Sequence, residues 1–137
     1  MLALLQARGR YLEPLPTPGY GAQLAKQVSR CEPERMIDSL LVAGLIDARS
    51  HERKALLTQH SPDPELRDLY ASLLQSEARH FGLYWVLCEE RWPRELIVPR
   101  LQALALAEVE ALSGDLERPE DVRMHSVGIR KQSPKEA

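Results

Sequence analysis

The chain has 137 residues, 44% of them hydrophobic and 28% charged, and a formal net charge of −2. A single domain of this length removes roughly two thirds of its unfolded surface from water, enough for a sizeable core. The near-neutral balance, with a pI near 6.1, excludes binding of nucleic acid by bulk charge and leaves only a local basic patch. Cys31 and Cys88 are far apart and outside any Cys-x-x-Cys pair, which suggests neither a zinc ribbon nor a disulfide framework and points to a reducing cytoplasm. Residues 1–7 are too short for a signal-peptide core followed by a cleavage site. The longest apolar run, residues 40–46, is too short to cross a bilayer, so no membrane is expected.

In chain order, residues 1–8 read as the last turns of a helix that stops at Gly9. Residues 11–21 carry Pro14, Pro16 and Pro18 and then Gly19-Tyr20-Gly21, which predicts a stiff, extended connector able to run the length of a bundle. No strand precedes Gly19-x-Gly21 and a third glycine is missing, so a nucleotide-binding turn is rejected. A short helix over residues 22–29 follows, and Glu32-Pro33-Glu34 suits the first turn of another.

The helix predicted over residues 33–58 is apolar around most of its circumference, which marks it as central. Its narrow polar side is assigned Asp38, Arg49 and Arg53. Two acids interrupt the apolar faces. Asp47 shares a stripe with Met36, Leu40, Ala43 and His51, and Glu52 shares one with Leu41, Leu45, Ala48 and Leu56. Each can point at a buried ion or form a salt bridge to an arginine, and His51 can share a metal with Asp47 or hydrogen-bond to it.

After a short connection at residues 59–61, Pro62-Asp63-Pro64-Glu65 opens an antiparallel helix expected to run to about residue 91. At 100° per residue, Leu66, Leu69, Tyr70, Leu73, Glu77, His80, Tyr84, Leu87 and Cys88 fall on one stripe. An uncompensated carboxylate in such a seam costs on the order of several kcal/mol. A metal ion, or a neighbour at the bundle end, removes that cost for Glu77 and His80. Glu-x-x-His at this spacing recurs in carboxylate di-iron bundles. The final helix is predicted over residues 94–112, kinked or delayed by Pro99, with core candidates Leu96, Val98, Leu101, Leu104, Leu106, Val109 and Leu112. Residues 1–114 are thus expected to form a partial helical bundle. Residues 115–137 are expected to be a wrapping loop and basic tail, with Arg123, Arg130, Lys131 and Lys135 open to RNA contact. No stretch alternates with the period of a strand, so the fold is all-α. No Gly-x-Ser-x-Gly elbow, phosphate loop or His-Glu-x-x-His is present.

Leu45-Ile46-Asp47-Ala48-Arg49-Ser50-His51-Glu52-Arg53 and Ser76-Glu77-Ala78-Arg79-His80-Phe81 resemble the third and fourth bundle helices of the MiaE-type tRNA hydroxylases. Pro18-Gly19-Tyr20-Gly21 is similar to that family's crossover, and Arg123-Met124-His125-Ser126 to its closing segment. The resemblance extends over most of the chain. It implies a ferritin-like di-iron monooxygenase that hydroxylates the isopentenyl group of 2-methylthio-isopentenyl-adenosine in tRNA, served by an electron-donor reductase. It further implies Glu77 and His80 as iron ligands, and Asp47 as the third-helix carboxylate with Glu52 competing for that role. The family pattern has Glu, Cys and Phe where this chain has Asp47, His51 and Lys54. A site of this class takes a Glu from each of two helices and Glu-x-x-His from each of two more. This chain is expected to carry half of that ligand set and to lack the bundle's first helix and most of its second. Three accounts follow: a shortened hydroxylase, inactive alone; a homodimer that pairs exposed apolar helix faces and rebuilds the site; or a metal-free helical interaction module.

Overall fold

The computed structural model describes residues 2–11, 19–77 and 82–115. Among them are six helices and no strand: α1 (Leu2–Ala7), α2 (Gly19–Ala25), α3 (Glu34–His60), α4 (Pro64–Glu77), α5 (Leu83–Glu89) and α6 (Arg94–Asp115). This is an all-α helical bundle, consistent with the ferritin-like expectation. No helix among the described residues is long and apolar enough to cross a membrane. The expected tail lies outside the described residues, including Arg123, Arg130, Lys131 and Lys135.

Local chemistry sets most of the boundaries. Gly9, at φ 64°, closes α1, with the Arg10 N–H on the Leu5 carbonyl at 2.8 Å and the Gly9 N–H on that of Gln6 at 3.0 Å. This paired closure needs a left-handed residue, which glycine supplies without a Cβ penalty. Asp63 caps α4 by accepting from the Glu65 and Leu66 N–H groups at 3.0 and 3.3 Å. The Arg8 guanidinium ties the end of α1 to that cap through Asp63 at 2.7 Å and Glu65 at 2.5 Å.

Helix α3 packs against α2, α4, α5 and α6, and α2 lies against α6. The core is formed by Tyr20 and Leu24 of α2, Ile37, Leu41 and Val42 of α3, Cys88 of α5, and Ile97, Leu104, Ala111 and Leu112 of α6. Helix α4 contributes no fully buried residue. Its attachment to α3 rests on half-buried leucines and on polar contacts described below.

Five expectations are corrected. Gly19-Tyr20-Gly21 is the first turn of α2 rather than extended connector, because helix places Tyr20 and Leu24 one turn apart on the same buried face. The helix expected to run from residue 64 to residue 91 is two helices, since Gly82, at φ 82°, starts α5 afresh. A left-handed residue cannot continue an α-helix, so the stripe drawn through Glu77 and Cys88 does not persist as one face. Pro99 does not delay α6, which already begins at Arg94 and carries Pro99 inside it, at the cost of one N–H from the helix ladder. Finally, Asp38 is not on a polar face: it is fully buried between α3 and α6. Of the core candidates on α6, Leu104 and Leu112 are buried, whereas Leu96, Val98, Leu106 and Val109 are exposed. The face that packs follows Ile97, Leu101, Leu104, Glu108 and Ala111, a stripe with a carboxylate inside it.

Candidate functional site

The chemistry gathers along the middle of α3, whose residues 44–54 face α4, α5 and α6 in turn. Gly44, Asp47 and Ala48 border an apolar cavity of about 180 Å³. Leu41 and Leu45 of α3, Tyr84 and Trp85 of α5, and Leu101 of α6 complete most of its wall. Tyr84 packs over Gly44, where an added Cβ would lie 3.4 Å from the Tyr84 Cβ, an ordinary contact. Half-buried Asp47 is the carboxylate on this wall.

On the other side of Leu45 and Ala48 lies a second cavity, of about 290 Å³, bordered also by Arg49, His51, Glu52 and Glu108. Glu108 is buried, and its Oε1 accepts from the Tyr20 hydroxyl at 2.7 Å and from Arg49 Nε at 3.3 Å. Arg49 continues to the exposed Glu52 at 2.8 Å. A buried carboxylate is tolerable only when its charge and lone pairs are met, and the phenol and guanidinium do this here. Sequence reasoning missed Tyr20 and Glu108 as a site. The available signal was Glu108 standing in the Ile97–Leu104–Ala111 stripe, but its partner is 88 positions away.

Burial, then the Glu108 hydrogen bond and charge, push the Tyr20 phenol well above its ordinary value of 10.0. A phenol whose folded pKa is raised stays protonated where the unfolded chain would ionise. Its contribution is therefore complete below pH 10 and is lost as pH rises towards the folded value. Tyr20→Phe is expected to cost about 1–2 kcal/mol at pH 8. It should also remove part of the alkaline fall in stability, as read by urea unfolding between pH 8 and 11. An unchanged alkaline limb would show that Tyr20 does not control it.

Among the described residues, the ligand candidates Asp47, Glu52 and Glu77 do not form one group. Asp47 lies on the apolar cavity, and Glu52 turns outward to Arg49. Glu77 is half-buried and accepts from Lys54 through both carboxylate oxygens, Oε2 at 2.5 Å. His80 lies outside the described residues. His51 borders the second cavity rather than the Asp47 wall. Among the described residues no three His, Cys, Asp or Glu side chains group to hold a metal ion. Asp47 and Glu77 are hard oxygen donors of the type iron takes, and here the Glu77 carboxylate is met by the Lys54 ammonium.

A family model described as tRNA-(MS2IO6A)-hydroxylase (MiaE) matches residues 1–126. A curated tRNA 2-(methylsulfanyl)-N(6)-isopentenyladenosine(37) hydroxylase of Pseudomonas putida is 34% identical over 126 residues, covering 92% of this chain and 60% of that protein. The protein of the same name from Salmonella typhimurium is 37% identical over 87 residues, covering 64% of this chain and 32% of that one. The chain thus spans less than two thirds of the length of the curated relatives it matches. A solved structure titled "Protein 43 with aldehyde deformylating oxygenase activity from Synechococcus" superposes with a TM-score of 0.85 at 73% identity, covering 96% of this chain and 66% of that one.

Proposed function

The chain belongs to the MiaE family of tRNA hydroxylases, whose model its residues 1–126 match, and on that premise we propose that it serves O2-dependent hydroxylation of the isopentenyl group of 2-methylthio-isopentenyl-adenosine in tRNA. The observation that carries the proposal is the apolar cavity beside Asp47. Leu41, Leu45, Trp85 and Leu101 offer a branched five-carbon chain a dry wall, and burial of its methyl groups contributes about 0.8 kcal/mol per carbon. The cavity aims the prenyl chain and excludes water, while the nucleoside stays outside.

Iron, bound by the whole enzyme, would supply the oxygen chemistry, with electrons from a reductase. This chain would bring Asp47, Glu77 and His80 to it, with Glu52 competing for the role of Asp47. The described donors do not converge, so further ligands from a second copy or another segment belong to the proposal. The basic residues Arg123, Arg130, Lys131 and Lys135 are assigned to tRNA phosphates. Family membership disfavours the metal-free interaction module.

A second reading rests on the 73% identical Synechococcus protein, whose title names aldehyde deformylating oxygenase activity. An aliphatic aldehyde tail suits the same apolar wall. The deciding experiment supplies the chain with ferrous iron, O2 and a reductant, together with either a prenylated anticodon stem-loop or an aliphatic aldehyde. Gain of one oxygen atom on the nucleoside, read by mass spectrometry, is the expected result. Formate and a hydrocarbon one carbon shorter, without nucleoside oxidation, would transfer the function to the second reading. No product from either substrate would overturn both for this chain alone.

A further inference from the structure

The ion pair between Lys54 and Glu77 has the form of a filled cation site. Lys54 of α3 and Glu77 of α4 meet across two antiparallel helices. The Lys54 side chain is only 13% exposed and that of Glu77 27%, unlike the solvent-facing pairs at Arg94–Glu89 or Arg35–Glu32. The ammonium sits against both carboxylate oxygens, which is how a carboxylate embraces one small cation bidentately. Lys54 follows Asp47 by seven positions, two turns and about 20° from the same bearing. Helical side chains lean towards the N-terminus, so the lysine stem carries its charge back towards the level of Asp47.

We propose that Lys54 is an internal cation standing in for a metal ion at Glu77, so that a divalent cation binds this carboxylate only by displacing the ammonium. The reason is competition for one pair of oxygens. An attached ammonium gives up no translational freedom to occupy them, whereas a free ion must both arrive and shed water. The lysine also explains how α4, which has no fully buried residue, keeps Glu77 in a half-buried position without metal. The proposal concerns cation occupancy and not turnover, so it stands or falls separately from the hydroxylase proposal.

The test uses the 137-residue chain and Mn2+ as the probe, with binding read by equilibrium dialysis and by the metal-dependent shift in Tm. Lys54→Met is expected to bind Mn2+ at least ten-fold more tightly than the wild type. It should melt lower without metal and regain that loss when Mn2+ is added. Adding Glu77→Gln to Lys54→Met should abolish both gains. Lys54→Gln, which leaves Glu77 a neutral donor and perturbs packing less, should show the same gain if the methionine variant does not fold. Equal Mn2+ affinity in the wild type and both Lys54 variants overturns the proposal. So does a gain that survives Glu77→Gln, or Glu77-dependent Mn2+ binding by the wild type as tight as that of Lys54→Met.

Discussion

Arg100→Met is expected to destabilise the bundle by about 3–5 kcal/mol, the usual cost of stripping the partner from a buried charge. Asp38 has no exposed surface. Its carboxylate accepts from Arg100 Nε at 2.7 Å, from Arg100 Nη2 at 2.5 Å and from the Ser29 N–H at 2.8 Å. Arg100 Nη2 also reaches the Gln27 carbonyl at 3.4 Å. The guanidinium thus fastens the turn between α2 and α3 to α6, and methionine of similar length keeps the stem but supplies no charge. The cost corresponds to a fall in Tm on the order of 10–20 °C for a domain of this size. Asp38→Asn in the Arg100→Met background should recover part of it, because a neutral amide is far cheaper to bury. A loss below about 1 kcal/mol in urea unfolding would contradict this account and place the pair among surface bridges of little consequence.

The same pair fixes the acid limit. Burial alone pushes the Asp38 carboxyl up, but the Arg100 guanidinium and the Ser29 N–H outweigh it and hold the group below its ordinary 3.8. With the folded pKa depressed, the stabilisation is complete above the unfolded value and is lost as pH falls through the folded one. In Arg100→Met burial is opposed only by the Ser29 N–H. Protonation then relieves the buried charge instead of breaking an ion pair, so the stability deficit of the variant against the wild type should shrink as pH falls, which urea unfolding across pH 2–7 reads directly.

Ala48→Phe is expected to lower kcat/KM for the prenylated stem-loop at least 100-fold, equivalent to about 2.7 kcal/mol of transition-state binding. Ala48 stands on the wall shared by the two cavities, so a phenyl ring has empty volume to enter and takes the place of the prenyl group. Because the ring occupies space that is already vacant, Tm should change by only a few degrees, unlike overpacking of a filled core. Gly44→Ala is the milder companion. Its Cβ would meet Tyr84 at 3.4 Å, an ordinary contact, and it should alter turnover only a few-fold. Undiminished turnover in a folded Ala48→Phe protein would place the apolar substrate elsewhere.

Much of the architecture was legible along the chain. The span of α3, the stop at Gly9, the opening of α4 at Asp63-Pro64 and the all-α class follow from local propensity, capping and period, which neighbouring residues determine among themselves. The family too was written in short runs around Asp47 and Glu77. What tertiary structure decided is which charged residue faces which. Asp38 reads as a polar-side residue until Arg100, 62 positions on, is seen to cover it. Glu108 stands in the packing stripe of α6, but its partners Tyr20 and Arg49 come from α2 and α3. Gly82 could have marked the break between α4 and α5, yet a helical stripe drawn through it hid the change of face. The Lys54 ammonium that meets the Glu77 carboxylate stands on a different helix, 23 positions away. Periodicity assigns residues to a face of one helix, but the partner of a buried charge lies on another helix. Only the packing of the two, set by the apolar contacts around them, brings that partner within hydrogen-bond reach.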